Sequence, residues 1–361
     1  MFAIKRAIGY LKAMTQRYVI IALLSAALFG LSTPAAKLLL GSVDPAILAG
    51  LLYCGAGVGV AILRRTGLFA FAGAEAPLTR TDAPWLAGAI VSGGVVGPML
   101  LMAGLARTGA ESASLLLTLE GVATALLAWF VFAENFDRRI ALGMACLVAG
   151  AVVLSWTGQP SLSGLIGPLA IVGACLAWGL DNNLTKKVSL ADPLQIVELK
   201  GLFAGPVNLA IGFWAGGGVP SLPALLLALL VGFLGYGVSL ALFVRALRHL
   251  GTARTGAYFS TAPFIGALAS VLFLREPLTV QLLAAGALMA VGVWLHLTEV
   301  HDHEHMHEAM EHDHLHDHDM HHQHSHRPED PPGERHAHRH RHAPMTHSHP
   351  HVPDMHHPHT H

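Results

Sequence analysis

The chain has 361 residues, of which 53% are apolar and only 12% are charged, and its formal net charge is −1. Soluble proteins carry about 25% charged residues, so this composition excludes an ordinary water-soluble domain and indicates an integral membrane protein. The three cysteines all lie in apolar runs and none forms a CxxC pair, which argues against a disulfide framework or a cysteine-based zinc site.

The first 17 residues precede the first long apolar run and contain Lys5, Arg6, Lys12 and Arg17. We interpret residues 1–17 as a short amphipathic lead-in that lies on the cytoplasmic membrane surface. The alternative is a frayed terminus. A cleaved signal peptide is not indicated, because the apolar run that follows is long and further runs come after it.

The apolar runs predict ten membrane-spanning helices. A helix needs about 20 mainly apolar residues to cross the hydrocarbon layer, and the connections between most runs are very short, so neighbouring helices should pack antiparallel. The predicted spans are residues 18–40, 45–63, 83–106, 110–133, 139–157, 163–185, 193–215, 222–247, 251–274 and 277–298. We therefore expect an all-α integral membrane fold.

Basic residues in the connections set the expected orientation. Most loop Lys and Arg fall on the side of the N-terminus, whereas Lys37, Arg107 and Arg275 fall on the other side. Cytoplasmic loops carry the excess of positive charge. We expect a multi-pass protein of the bacterial cytoplasmic (inner) membrane, with both termini in the cytoplasm.

The chain also contains an internal repeat. FGLSTPAAK at 29–37 aligns with WGLDNNLTK at 178–186, and residues 104–135 align with 246–277. Two five-helix halves follow, residues 18–157 and 158–299. An odd number of spans per half inverts the second half, and inverted repeats are typical of secondary transporters with a site near the membrane midplane.

This layout resembles the EamA-type permeases of the drug/metabolite transporter superfamily, over about residues 18–298. The second half carries the family pattern at Ala246-Leu247, Pro263, Arg275-Glu276-Pro277, Gly286 and Gly292. The first half departs from it, with Glu120-Gly121 where the second half has Ala262-Pro263. The resemblance implies a permease for a small solute, such as an amino acid or metabolite, and neither an enzyme nor a protein that requires a cofactor.

Glu120 is the sharpest candidate for a functional residue. It lies in the middle of the predicted fourth span, roughly 15 Å from its start at ~1.5 Å per residue. An ionisable side chain at this depth is costly and indicates function. We expect Glu120 to bind a cationic substrate or to carry a proton. The alternative is a protonated carboxyl that makes a structural hydrogen bond to a neighbouring helix.

The repeated motif supplies further candidates, since the resemblance implies that the first helix of each half lines a central cavity. These candidates are Ser32, Thr33 and Lys37 in the first half and Asp181, Asn182 and Asn183 in the second. They are expected to serve as gate or substrate residues. The alternative for Asp181 is to anchor a helix end at the membrane interface. Nearby, we expect Lys200 to extend to the interface or to pair inward.

Three prolines, Pro34, Pro98 and Pro263, lie inside predicted spans. Proline removes a backbone donor and kinks or breaks a helix, and the carbonyls that it releases can face a cavity. We interpret all three as candidate gate positions. Tyr258, Phe259 and Trp178 are candidate cavity-lining residues, although aromatic side chains in spans more often face lipid or pack between helices.

All but two of the 25 histidines lie after residue 300, interspersed with Asp and Glu. So little apolar surface predicts a disordered cytoplasmic tail over residues 300–361. Neutral imidazole binds Zn, Ni, Co and Cu ions, and HxH spacing lets two rings reach one ion. The expected ligands, a diffuse set, are His301, His303, His305, His307, His312, His314, His316, His318, His321 and His322. The alternative is a compositional expansion without function.

These observations favour a secondary transporter whose tail is able to bind metal. No GxxxxGK[ST] motif is present, so a proton gradient or solute exchange is the expected energy source. The alternatives are a divalent metal transporter loaded by the tail, or a metal-responsive membrane sensor. Because the core has only His249 and His296, a metal path would depend on Glu120 and Asp181. The expected partners are a small-molecule or ion substrate and the lipid bilayer. We expect no nucleic-acid partner, and the sequence leaves open whether the protein forms a homodimer.

Overall fold

The structure is a computed structural model. It describes residues 2–66, 77–131, 138–156, 162–188, 191–250, 255, 258–297, 301–307, 310–317, 335–342 and 345–351. Three predicted metal ligands, His318, His321 and His322, therefore lie outside the described residues.

The first half of the chain is helical, with one helix broken by a π-helical segment. Its elements are α1 (Phe2–Leu39), α2 (Pro45–Thr66), a 3₁₀ turn (Arg80–Asp82), α3 (Ala83–Ala89), a π segment (Ile90–Val96), α4 (Gly97–Leu105), α5 (Ala110–Leu116), α6 (Leu119–Phe130) and α7 (Arg138–Ser155). Together α3, the π segment and α4 form one span, and α5 with α6 form the next.

The second half follows the same plan. Its elements are α8 (Leu162–Lys186), α9 (Pro193–Trp214), α10 (Leu222–Gly232), a second π segment (Phe233–Val238), α11 (Ser239–Leu250), α12 (Ala262–Phe273) and α13 (Val280–Leu297). By length and hydropathy, seven helical segments of the described chain can span a bilayer, and three shorter apolar helices occupy the remaining predicted spans. The prediction of an all-α multi-pass membrane fold is confirmed.

Irregular segments recur at matching places in the two halves. The third span of each half contains a π segment, and the fourth span of each half is interrupted, at Leu117–Thr118 and at Ser260–Thr261. When Gly109 is aligned with Gly251, Thr118 aligns with Ser260 and the two π segments coincide. The repeat seen in the sequence is therefore also a repeat of local backbone structure.

The first helix of each half packs into the opposite half. Helix α1 contacts α11 and α12, while α8 contacts α4 and α6. The second helices, α2 and α9, lie along each other, as do the fifth helices, α7 and α13. The two halves are thus interlocked, and the elements near the midplane come from both of them.

Glycines bring α2 and α9 into backbone contact. A Cβ placed on Gly201 would lie 2.4 Å from the Cα of Gly57, and one on Gly205 would lie 2.5 Å from the sulfur of Cys54. Small residues allow membrane helices to approach closely where lipid provides no hydrophobic driving force. This contact positions the second helix of each half against its counterpart.

The apolar side chains divide between an interior and an outer surface. Leu48, Leu101 and Met289 are fully buried between the helices, whereas Leu169 and Leu272 remain more than half exposed. Large exposed apolar faces are unusual on soluble proteins. On this bundle they form the surface that contacts the acyl chains of the bilayer.

The three prolines differ in their effect on the helices. Helix α1 continues from Phe2 to Leu39 through Pro34, so the structure shows no break at this predicted position. A membrane helix tolerates proline when neighbouring helices support it, and α1 is flanked by α11 and α12. Pro98 and Pro263, by contrast, each begin a helix directly after an irregular segment.

The described parts of the tail differ from the predicted disorder. Strand β1 (His301–His307) pairs with β4 (Met345–His351), and β2 (Met310–Asp317) pairs with β3 (Arg335–His342), all antiparallel. The register of the second pair places Glu311, Asp313 and Asp317 opposite Arg341, Arg339 and Arg335. Isolated two-stranded ladders of this kind are marginally stable in water.

We predict that Gly201→Val destabilises the protein by about 1–3 kcal/mol, because the new side chain would overlap the backbone of α2. The thermal unfolding midpoint of the purified protein in detergent measures this effect. Gly218→Val is the matched control, since a Cβ at Gly218 meets no atom within 4 Å. Equal midpoints for the two variants would contradict the close contact of α2 and α9.

Candidate functional site

A cavity of about 230 Å³ lies where the two interrupted fourth spans meet. Both breaks contribute to its wall, and single residues from α1, α7 and α13 complete it. The lining residues are Leu117, Thr118, Glu120 and Gly121 from the first half, Phe259, Ser260, Ala262 and Pro263 from the second, and Phe29, Leu147 and Val293. The cavity is therefore built at the contact between the two halves, from residues that the repeat relates.

Glu120 is the one ionisable residue among those that line this cavity. Its Oε1 accepts a hydrogen bond from Asn182 Nδ2 at 2.9 Å, and the same amide donates to Thr124 Oγ1 at 3.1 Å. The Thr124 hydroxyl in turn donates to the backbone oxygen of Glu120 at 2.8 Å. Asn182 thus reaches from α8 to orient the Glu120 carboxyl on α6, and a role of either residue in binding substrate or carrying a proton stays a prediction.

Asn183 has a structural contact instead. Its amide donates to the backbone oxygens of Thr124, at 3.1 Å, and of Gly179, at 2.8 Å. Asn183 is buried, and Gly179 packs against the backbone of Ala123. These contacts hold α8 against α6 and so position Asn182 beside the cavity.

Asp181 forms a buried ion pair with Lys200 of α9. The Lys200 Nζ lies 2.5 Å from Asp181 Oδ1, and Thr185 donates to the same oxygen at 2.8 Å. The inward pairing that we expected for Lys200 is present. The carboxyl also packs against Gly93, where an added Cβ would lie 1.9 Å from Oδ2. Asp181 therefore joins three spans but does not line the cavity of Glu120.

The first π segment releases backbone carbonyls that side chains then satisfy. Gly93 O accepts from Tyr53 Oη at 2.6 Å and from Trp178 Nε1 at 2.9 Å. Gly94 O accepts from Asn208 Nδ2 at 2.9 Å. Pro98 lies five and four residues beyond these glycines and has no N–H to offer either carbonyl, so Tyr53, Trp178 and Asn208 supply donors that this stretch of backbone lacks.

Ser32 occupies the matching position at the second π segment. A Cβ on Gly235 would lie 2.5 Å from Ser32 Cβ, just as Gly93 faces Asp181. Ser32 Oγ donates to Phe29 O at 2.6 Å, and both Ser32 and Thr33 are buried. These predicted candidates pack beside the second π segment and are not among the cavity-lining residues.

Aromatic rings connect the cavity wall with the π segments. Phe29 lies 5.4 Å from Phe259 and 5.8 Å from Tyr236, measured between ring centroids, and Tyr236 lies 5.8 Å from Tyr53. The predicted lining residue Tyr258 packs instead with Ala22 at another part of the bundle. Its neighbour Phe259, which was also a candidate, lines the cavity.

Lys37 contributes at the far end of the bundle, where α1 ends. Its ammonium donates to the backbone oxygens of Leu105, at 2.5 Å, and Thr108, at 2.7 Å. Glu276 caps the following helix, because its carboxylate oxygens accept from the N–H groups of Ala110 and Glu111, each at 2.9 Å. Opposite charges thus hold both ends of one connection between spans.

The tail positions predicted to bind metal lie on strands where they are described. His301, His303, His305 and His307 are in β1, and His312, His314 and His316 are in β2. Within the described residues, no group of three His, Cys, Asp or Glu residues is arranged to hold a metal ion.

Several participants were not found from the sequence. Phe29, Thr118, Ser260, Leu147 and Val293 line the cavity because of how the helices pack. The alignment of residues 104–135 with 246–277 was the available sequence signal for Thr118 and Ser260. It pairs these two residues, and they lie shortly before Glu120 and Pro263. Nothing in the local sequence distinguishes Leu147 or Val293 from other apolar residues in their spans.

Comparison with known proteins identifies similar sequences and one similar fold. A family model described as the EamA-like transporter family matches twice, at residues 16–156 and 165–298. An "Uncharacterized transporter" of Methanothermobacter thermautotrophicus is 29% identical over 74% of this chain and 82% of its own. A "Probable amino-acid metabolite efflux pump" of Salmonella typhimurium is 27% identical over 51% of this chain and 66% of its own.

A solved crystal structure shares the fold. It superposes with a TM-score of 0.55 and 17% sequence identity, and the match covers 79% of this chain and 96% of the solved one. The two family matches fall one in each half of the chain.

We predict that Lys200→Met destabilises the protein on the order of 3–5 kcal/mol, because it leaves the Asp181 carboxylate buried without its partner. Adding Asp181→Asn should recover most of the loss, since the uncompensated charge is then removed. Thermal unfolding of the two single variants and the double variant measures this coupling. Additive effects of the two substitutions would contradict a direct ion pair.

Proposed function

Because the chain belongs to the EamA-like transporter family, we propose that it is a secondary permease that moves a small solute across the bacterial cytoplasmic membrane by alternating access. The observation that carries the proposal is the cavity at the contact of the two repeated halves, with one carboxyl in its wall. Transporters built from inverted repeats bind their substrates at such an interface.

The interrupted spans are the proposed moving parts. A break in a helix concentrates the change of direction in few residues, and both fourth spans are broken beside the cavity, at Leu117–Thr118 and Ser260–Thr261. Pro98 and Pro263 begin the helices after two of the irregular segments. Rocking of the halves about these points would expose the cavity first to one side of the membrane and then to the other.

Glu120 is the proposed substrate or proton site, and Asn182 is the proposed positioning residue. The amide of Asn182 bridges the Glu120 carboxyl and the Thr124 hydroxyl. A change in the protonation or ligand binding of Glu120 would therefore act on α8 through this hydrogen bond. Glu120 also lies within the electrostatic range of Asp181 and Lys200. A proton or a bound cation at Glu120 would therefore alter the charge balance between α6, α8 and α9.

The connection held by Lys37 and Glu276 is the proposed closure at the far end. Lys37 belongs to the first half and Glu276 to the second, and both bind the segment that joins α4 to α5. We place the opposite end, with both termini, in the cytoplasm on the basis of the basic loop residues. Opening toward the outside would require at least one of these two contacts to separate.

The tail is proposed to bind divalent transition metals such as Zn, Ni, Co or Cu next to the permease. Its histidine spacing supports this role. A metal transporter or metal sensor is the second candidate function, favoured by the tail alone. The described lining of the cavity offers one carboxyl and no imidazole or thiol, which is a poor site for these ions.

Alternating access is testable without a known substrate. We predict that a cysteine at Ser260, in a variant that lacks Cys54, Cys146 and Cys175, reacts with membrane-impermeant thiol reagents from both sides of oriented vesicles. The reason is that the cavity opens to each side in turn. Labelled fractions, measured by mass spectrometry for inside-out and right-side-out vesicles, provide the readout.

A cysteine at Leu101 is the control for this experiment, because Leu101 is fully buried between helices and should stay unlabelled. Labelling of the Ser260 position from one side only, under every pH and ion gradient applied, would contradict alternating access and would favour a non-transporting membrane anchor.

The tail is tested separately. We predict that the purified intact protein binds several Ni or Zn ions per chain, whereas a version that ends at Glu299 binds fewer than one. The midpoint of thermal unfolding of the truncated protein should remain unchanged, because the tail lies outside both family-matched regions. Elemental analysis after gel filtration measures the metal content. Equal metal content in both versions would refute the tail as the binding segment.

A further inference from the structure

We infer that the ligand of the Glu120 cavity is a monocationic amine with a compact apolar body, and not a zwitterionic amino acid. This inference rests on the proposed function, because it takes the cavity to be the transport site. It narrows the substrate from any small solute to one chemical class, on the basis of charge, lining and hydrogen-bonding capacity.

The charge of the cavity wall carries the first step. Glu120 is the one ionisable residue among the lining residues. The Lys200 ammonium on α9 is already paired with Asp181 at 2.5 Å. Lys37 donates to two backbone oxygens at the far end of the bundle. The described wall therefore presents a carboxyl to a ligand and offers no side-chain cation for a ligand's own carboxylate.

The cost of burying charge carries the second step. An ammonium group placed against Glu120 forms a charge-assisted hydrogen bond that offsets its desolvation. An amino acid would bring a second carboxylate into the same low-dielectric cavity, near one that is already there. A buried charge without a partner costs several kcal/mol, so the zwitterion loses more on entering the cavity than the amine of the same side chain.

The apolar lining carries the third step. Phe29 and Phe259 present rings 5.4 Å apart between centroids, and Leu117, Leu147 and Val293 add aliphatic surface. The hydroxyl of Thr118 is already donated to Leu115 O at 2.8 Å. Such a wall accommodates an alkyl or aryl body, and its rings also attract a cation. A strongly polar body, such as a sugar, would leave its hydroxyls unsatisfied here.

Hydrogen-bonding capacity completes the argument. Asn182 occupies one acceptor position of the Glu120 carboxylate, at Oε1, and a carboxylate has about four such positions. An ammonium group with three N–H donors can use those that remain without displacing Asn182. A proton on Glu120 would remove the charge that attracts the amine. Amine and proton should therefore compete for one site, and amine binding should release a proton where Glu120 was protonated.

The test uses the purified full-length protein in lipid nanodiscs and matched pairs of probes. Isoamylamine is compared with leucine, and phenethylamine with phenylalanine, because each pair differs only by the carboxylate. Calorimetry in two buffers of different ionisation enthalpy measures both affinity and proton release. We expect each amine to bind at least tenfold more tightly than its amino acid, and to release a proton at a pH where Glu120 was protonated before binding.

Substitutions of single acidic residues show whether the amines bind at Glu120. Glu120→Gln should weaken amine binding at least tenfold and abolish proton release, whereas Glu120→Asp should retain both in part because it keeps a carboxylate. Glu111→Gln is the matched control, since it removes an acid from the same span outside the cavity lining. It should leave affinity and proton release unchanged.

The outcomes separate this inference from the proposed function. Tighter binding of the amino acids, or amine binding that Glu120→Gln does not alter, would overturn the inference while accessibility from both sides still supports a permease. Failure of both amines to bind would also overturn it. One-sided accessibility of the Ser260 position would overturn the proposed function itself, whatever the amines do.

Discussion

Inside the hydrocarbon layer, a backbone carbonyl without a donor costs several kcal/mol, and this bundle is organised around carbonyls that its own irregular segments release. Gly93 and Gly94 lose their helical partners near Pro98. Their hydrogen bonds come from Tyr53, Trp178 and Asn208, which belong to α2, α8 and α9. Because these donors lie on helices of both halves, satisfying one π segment also fixes how the halves interlock. The cavity and its aromatic wall are positioned by that arrangement.

Asp181 and Glu120 illustrate how environment divides similar side chains between roles. Asp181 has a cation, a hydroxyl and a close glycine backbone around it, so its charge is compensated and its position is fixed. Glu120 has one amide donor from Asn182 and faces a cavity. The first arrangement holds helices together, whereas the second leaves a carboxyl available to a mobile partner. This difference is why the proposed mechanism uses Glu120 and assigns Asp181 to support.

The sequence allowed the membrane-spanning helices to be predicted and the repeat to be recognised, because hydropathy and self-alignment are properties of local stretches. A functional role for Glu120 stays a prediction. The finer geometry was not accessible in this way. Neighbouring residues on a helix point about 100° apart, so which of the two candidates Tyr258 and Phe259 lines the cavity depended on a helix rotation that apolar patterning does not determine. Pro34 leaves α1 unbroken because flanking helices support it, and the strand register in the tail depends on pairing between segments distant in sequence.

The repeat has an energetic consequence. If the two halves were identical, the states open to either side of the membrane would be related by symmetry and equally populated in the absence of a gradient. The halves of this chain are not identical. In the aligned sequences, for example, Glu120 corresponds to Ala262, Asp181 to Ser32 and Pro98 to Leu240. Each substitution changes which contacts form in one state and not in the other. If the bundle alternates between two such states as proposed, differences between the halves of this kind would make the two populations unequal at rest.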